Sequence, residues 1–179
     1  MRLANQYIIP FKGLAEGDHE FEFDLEKAFF DEHEILEARN GFIKVIVLLN
    51  KTPQLLTLNF ELNGNIEIAC DRCLEYFNFP IHLRSQLVVK FSENSDEIDE
   101  EIWYINPNEN ELDLEQYYFD IIAVNMPLQK VHPSDPNGSG GCDKDMLKLL
   151  NKHVISEDQK GIDPRWDKLK NLLNDYNNN

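Results

Sequence analysis

The sequence predicts an α+β protein: a curved or barrel-like antiparallel sheet with a few packed helices. Three observations carry this. Through the first 91 residues, runs of alternating apolar and polar residues follow one another with turn residues between them. Stretches with helical spacing are few, and most lie in the second half of the chain. Strand and helix patterns do not alternate one for one, which argues against a doubly wound sheet. The 179 residues, 42% of them apolar, are enough for one sizeable core.

Taken in order, "QYIIPF" and "HEFEFD" read as short strands around a glycine-containing turn. "DLEKAFFDEH" reads as a short helix with Asp24 as its N-cap. In "EILEARNGFIKVIVLLN" the Asn40-Gly41 pair is a hairpin signal between two apolar runs. A second hairpin is expected in "LTLNFELNGNIEIAC". Its apolar residues, Leu58, Phe60, Leu62, Ile66, Ile68 and Cys70, are all even-numbered, so a three-residue loop at Asn63, Gly64 and Asn65 keeps them on one face. "FNFPIHLRSQLVVKF" is a long strand bent near Pro80, and "EIWYI" an edge strand. "LDLEQYYFDIIAVNMP" carries Leu114, Tyr117, Tyr118, Ile121 and Ile122 at helical spacing and stops at Pro127. "HPSDPNGSGGC" is a loop, "DKDMLKLLNKH" a short helix, and "DPRWDKLKNLLNDY" a C-terminal helix over about residues 164–175.

The net charge is −16. It is unevenly placed: from Phe91 to Gln129 there is no Lys or Arg, while eleven acids fall in that window. Residues 92–111 read as an acidic flap, with 92–101, "SENSDEIDEE", expected to be mobile in the free protein. Such a chain repels phosphate at long range and attracts basic protein. No apolar run is long enough to span a membrane, and the N-terminus lacks a signal-peptide core. A cytoplasmic protein is expected. Gly-rich phosphate loops, nucleophile elbows and His-Glu metalloprotease helices do not occur, so neither an enzyme nor a small-molecule substrate is expected.

The three cysteines are too few for a disulfide framework. Cys70 and Cys73 form a C-x-x-C between two strands. A redox pair would open a helix, and no helix pattern begins there. Two readings remain: buried packing, or half of a metal site in which both thiolates reach one ion. In the second reading Cys142 is the one cysteine left. His132, which shares its loop, is the leading fourth ligand, and His153 is the fallback.

"CDRCLE" after a strand, an acidic middle, an apolar helix running into "MPLQKVH" with a cysteine soon after, and a closing "DPRWDKLKNLL" together resemble the YceD family, named large ribosomal RNA subunit accumulation protein. The resemblance covers most of the chain from about residue 40. It implies a single domain over residues 1–179 and a structural Zn2+ site at Cys70, Cys73, His132 and Cys142. It also implies an accessory role in accumulation of large-subunit ribosomal RNA. In many bacteria the family's gene lies beside that of a small basic large-subunit ribosomal protein, so such a protein is the expected partner. Direct binding of structured ribosomal RNA is the alternative.

Overall fold

A computed structural model describes residues 7–33, 38–92, 102–133 and 141–153. The fold is α+β. Five strands, β2 (Gly17–Leu25), β3 (Ala38–Lys51), β4 (Leu55–Ala69), β5 (Tyr76–Phe91) and β6 (Ile102–Ile105), form one sheet in chain order. A two-stranded sheet pairs β1 (Ile8–Ile9) with β7 (Leu112–Asp113). Helices α1 (Lys27–Glu32), α2 (Glu115–Asn125) and α3 (Lys144–His153) and a short 3-10 turn at Phe11–Gly13 complete the described elements.

The large sheet is open, with β2 and β6 at its two ends. It is mixed where an antiparallel sheet was expected, because β6 runs parallel to β5, Ile102 opposite Val88 and Ile105 opposite Phe91. Neither Asn-Gly pair makes a turn. β3 runs straight through Asn40-Gly41, and β4 runs through Asn63, Gly64 and Asn65. The even-numbered phase that called for a three-residue loop is also the phase of one uninterrupted strand, and pairing on both sides selects the strand. Gly64 stands opposite Ile43 and Ile81. A Cβ there would fall 2.6 Å from Ile43 Cα, so the glycine serves close backbone approach. Gly41 makes room for the Phe30 ring, since a Cβ would come 2.5 Å from it. The turn between β3 and β4 is made at residues 52–54, where the Thr52 hydroxyl donates to Leu55 O at 2.9 Å. Pro80 lies where β5 has a paired strand on one side only among the described residues, a place that tolerates a missing N–H.

One face of the sheet builds the core. Ile43, Val45, Val47 and Leu49 of β3 line up with Leu58, Phe60 and Leu62 of β4 and with Ile81 and Leu87 of β5. Phe29 and Phe30 of α1, Tyr117, Tyr118 and Ile122 of α2, and Ile9 and Leu112 cover them. Tyr118 sits edge-on to Tyr7 at 5.9 Å and to Phe60 at 6.0 Å. α1 takes Glu26 as its N-cap, not Asp24, because β2 continues through Asp24 and Leu25. α2 ends at Met126, which is extended ahead of Pro127. Residues 93–101 of the expected flap and the expected helix at 164–175 lie outside the described residues. The described remainder of the flap includes β6 and ends just before β7. No described helix is long and apolar enough to cross a membrane.

Candidate metal centre

The turn between β4 and β5, residues 70–75, carries two of the four candidate ligands. Cys70 ends the buried face of β4, where its N–H donates to Glu75 O at 3.0 Å. The Leu74 N–H donates back to Cys70 O at 2.9 Å, and Leu74 adopts φ 63°, a left-handed conformation costly for a leucine. This tight knuckle turns the Cys73 side chain inward beside Cys70, and both are buried. Cys142 comes from the far side, one residue before Asp143. The Asp143 carboxylate accepts the Met146 N–H at 2.6 Å, capping α3 and fixing Cys142 at the helix entrance. His132 follows α2 by seven residues and lies between them, its ring against Phe77 with centroids 4.7 Å apart.

The structure brings all four together. Their ligand atoms lie within 4.8 Å of one another. Cys70 Sγ is 3.8 Å from Cys142 Sγ, and His132 Nδ1 is 3.6 Å from Cys73 Sγ and 3.5 Å from Cys142 Sγ. A tetrahedral ion held at about 2.3 Å from sulfur and about 2.1 Å from nitrogen needs S–S edges of about 3.8 Å and S–N edges of about 3.6 Å. The residues therefore fit a tetrahedral metal. The three cysteines are free thiols.

The electrostatics agree. Burial resists ionisation of Cys70, but hydrogen bonds from the Arg72 and Cys73 backbone and from His132 outweigh it and hold the thiol at about 6. Cys142 goes the other way, pushed up to about 11 by burial and then by its hydrogen bonds with Cys70 and Cys73. One thiolate forms readily here, and a second beside it calls for a cation. Phe77, Val131, Met146 and Leu147 pack around the sulfurs and keep the surroundings apolar.

Two residues that the sequence did not single out hold the halves in register. The Asp71 N–H donates to Lys130 O, and the Lys130 N–H donates to Asp71 Oδ2, both at 2.6 Å. This reciprocal clamp fixes the segment that carries His132 against the knuckle. Gly141 lets the returning chain lie on the imidazole, since a Cβ there would stand 3.1 Å from His132 Cδ2. His82 is elsewhere, on the opposite sheet face and hydrogen bonded to Asn63. His153 closes α3, and neither it nor His82 joins the cluster.

A family model described as "Large ribosomal RNA subunit accumulation protein YceD" matches residues 58–173. That span contains all four clustered side chains. No curated protein and no solved structure matches the chain.

Proposed function

The chain belongs to the YceD family, and from that membership, its charge and its four-ligand cluster we propose a non-catalytic accessory factor in ribosome assembly. It supports large-subunit ribosomal RNA accumulation by holding a basic large-subunit ribosomal protein, and Cys70, Cys73, His132 and Cys142 carry a structural zinc. Zinc here would act as a cross-link only, because four protein ligands complete its tetrahedron and leave no position for water or substrate. The cluster joins the end of the β4–β5 hairpin to the segment between α2 and α3, and the clamp at Asp71 pre-aligns the two. The domain then reads as one unit over residues 1–179 with its core on one sheet face.

The observation that carries the partner is the charge. A chain at −16, with 33 acids against 17 Lys and Arg, is poorly suited to a phosphate backbone and well suited to a cationic protein. A second reading, direct contact with structured RNA, is favoured by one feature. Arg39 lies over the Tyr76 ring at 5.0 Å, a small cationic and aromatic spot, and exposed Arg72 lies four positions before Tyr76 in the β4–β5 turn. The two readings separate when the zinc-loaded protein is mixed, at physiological salt, with individual purified large-subunit ribosomal proteins and with large-subunit ribosomal RNA. Saturable binding to one or more of the basic proteins is expected. Binding to RNA with none to any protein refutes the leading reading.

A further inference from the structure

The inward face of the sheet packs into the core, but the outward face is not polar throughout. In β3 the outward residues are Phe42, Lys44, Ile46, Leu48 and Asn50, so three of these five are apolar. Phe42 is 52% exposed and Leu48 is 50% exposed. A sheet face that only meets water carries polar residues at such positions. β2, next to it, presents the opposite pattern. Its outward residues are Asp18, Glu20, Glu22 and Asp24, all exposed, and the register sets them directly opposite Asn50, Leu48, Ile46 and Lys44.

Those four carboxylates meet one cation in the neighbouring row. Lys44 Nζ lies 2.7 Å from Glu22, and Asp18 accepts a hydrogen bond from Asn50 at 2.6 Å. Glu20 faces Leu48 instead of a positive charge. On the other flank, Asn59 and Glu61 of β4 with Arg84 and Gln86 of β5 border a shallow cavity of about 420 Å³ that includes Ile46 and Leu48. The polar groups of that flank pair among themselves, Arg84 with Glu61 and Gln86 with Asn59. Beside Ile46 and Leu48, uncompensated negative charge therefore lies on the β2 side of the apolar row; on the β4 side, Glu67 stands further along, opposite Asn40 and next to Phe42. β2 is also the end strand of the sheet, and α1 and α2 contribute their buried residues to the other face.

The geometry points to the outward face of β2 and β3 as the docking surface for the basic partner, an inference that rests on the proposed function. The occupant is a cationic protein segment with an apolar row that seats on Phe42, Ile46 and Leu48. Lys or Arg side chains along one flank of that row meet Asp18, Glu20 and Asp24. The distances define it further. Strands lie about 4.8 Å apart, and residues on one face repeat about every 6.7 Å, so the acidic row runs about 20 Å beside the apolar one. A segment charged on both flanks fits less well, because the β4 and β5 flank offers paired, neutralised groups. The arrangement is that of an interface with an apolar centre and a charged rim on one side.

The test compares three full-length, zinc-loaded proteins: the unmodified chain, an outward-face variant with Glu20→Lys and Leu48→Gln, and a matched control with Glu109→Lys and Val124→Gln. Val124 is 84% exposed on α2, and Glu109 is exposed in the turn before β7. Each is titrated with individual purified basic large-subunit ribosomal proteins and with large-subunit ribosomal RNA. The outward-face variant is expected to weaken the protein complex at least tenfold, and the control less than twofold. A photo-crosslinking residue at position 48 is expected to capture the partner and one at position 124 to leave it free, so a poorly folding variant does not decide the matter. If the unmodified chain binds a ribosomal protein and the outward-face variant binds it equally, this surface is wrong and the proposed function stands. If the unmodified chain binds no ribosomal protein, or binds only RNA, both fall.

Discussion

Replacing Cys70 by Ser tests whether the cluster is a working cross-link. Cys73 and His132 are 59 positions apart. Closing a loop of about 60 residues in the unfolded chain removes entropy equivalent to about 4 kcal/mol at 25 °C. Serine is close to cysteine in volume, so the change takes away a metal ligand more than it opens a cavity. For a chain of this size each kcal/mol moves the midpoint by about 2–4 °C, which puts the fall in Tm at about 8–16 °C. The assay is calorimetry on the zinc-loaded protein and on Cys70→Ser, each with and without a strong chelator, alongside metal analysis of protein purified without chelator. About one zinc per chain is expected. The chelator should lower the Tm of the unmodified protein by nearly the same amount as the substitution, and should then do little to the variant, because both remove the same tie. Equal chelator effects on the two proteins, or a chain that takes up no metal after zinc is supplied, would refute the cross-link.

The clamp should matter through the metal: Asp71→Ala leaves every ligand in place but removes the acceptor for the Lys130 N–H, and zinc affinity measured by chelator competition should fall about 10–100-fold. An unchanged affinity would show that the ligands align without it. Tyr118→Phe should stabilise the protein by about 1 kcal/mol in urea denaturation, since the Tyr118 hydroxyl is buried with no hydrogen-bond partner among the described residues; a loss of stability would show that the hydroxyl has a role. Burial, then the charges of Glu115, Glu26 and Glu32, push the Tyr7 phenol from its ordinary value of 10 up to about 12, and burial raises Tyr118 further. The folded state therefore favours the neutral phenols, so their contribution is intact below pH 10 and is lost as pH rises towards and beyond 12. Near-ultraviolet titration should show these tyrosines ionising late and together with alkaline unfolding; early ionisation of all the tyrosines in folded protein would contradict the packing.

The strands were legible where alternation ran long. β5 and the buried face of β4 follow directly from the positions of Leu58 to Cys70 and Phe77 to Phe91, and α2 from the spacing of Leu114 to Ile122. The Asn-Gly pairs misled because turn chemistry describes what a dipeptide permits, while strand pairing on both sides decides what it does. At Gly41 and Gly64 the missing side chain admits Phe30 and the β3 backbone, which are contacts between distant residues with no local signature. The direction of β6 is likewise invisible in a four-residue apolar run. In the candidate metal centre, residue type and loop composition pointed to the four side chains that the structure gathers. The Asp71–Lys130 clamp was hidden, since two hydrogen bonds across 59 positions leave no pattern in either segment.

β3, β4 and β5 are 14, 15 and 16 residues long and paired along nearly their whole length. This has a consequence for how the gene can drift. Inserting or deleting one residue inside β4 would turn every side chain beyond that point to the opposite face, sending Ile66 and Ile68 to water and Glu67 into the core. The same slip would rotate Cys70 away from Cys142 and dismantle the cluster. Length changes in this hairpin are therefore tolerable only two residues at a time and matched on the neighbouring strands, or absorbed in a bulge such as the one between Ala38 and Asn40. Variation in length should gather at the turn of residues 52–54 and in the connections outside the ladder, while the spacing from Leu56 to Cys73 stays fixed.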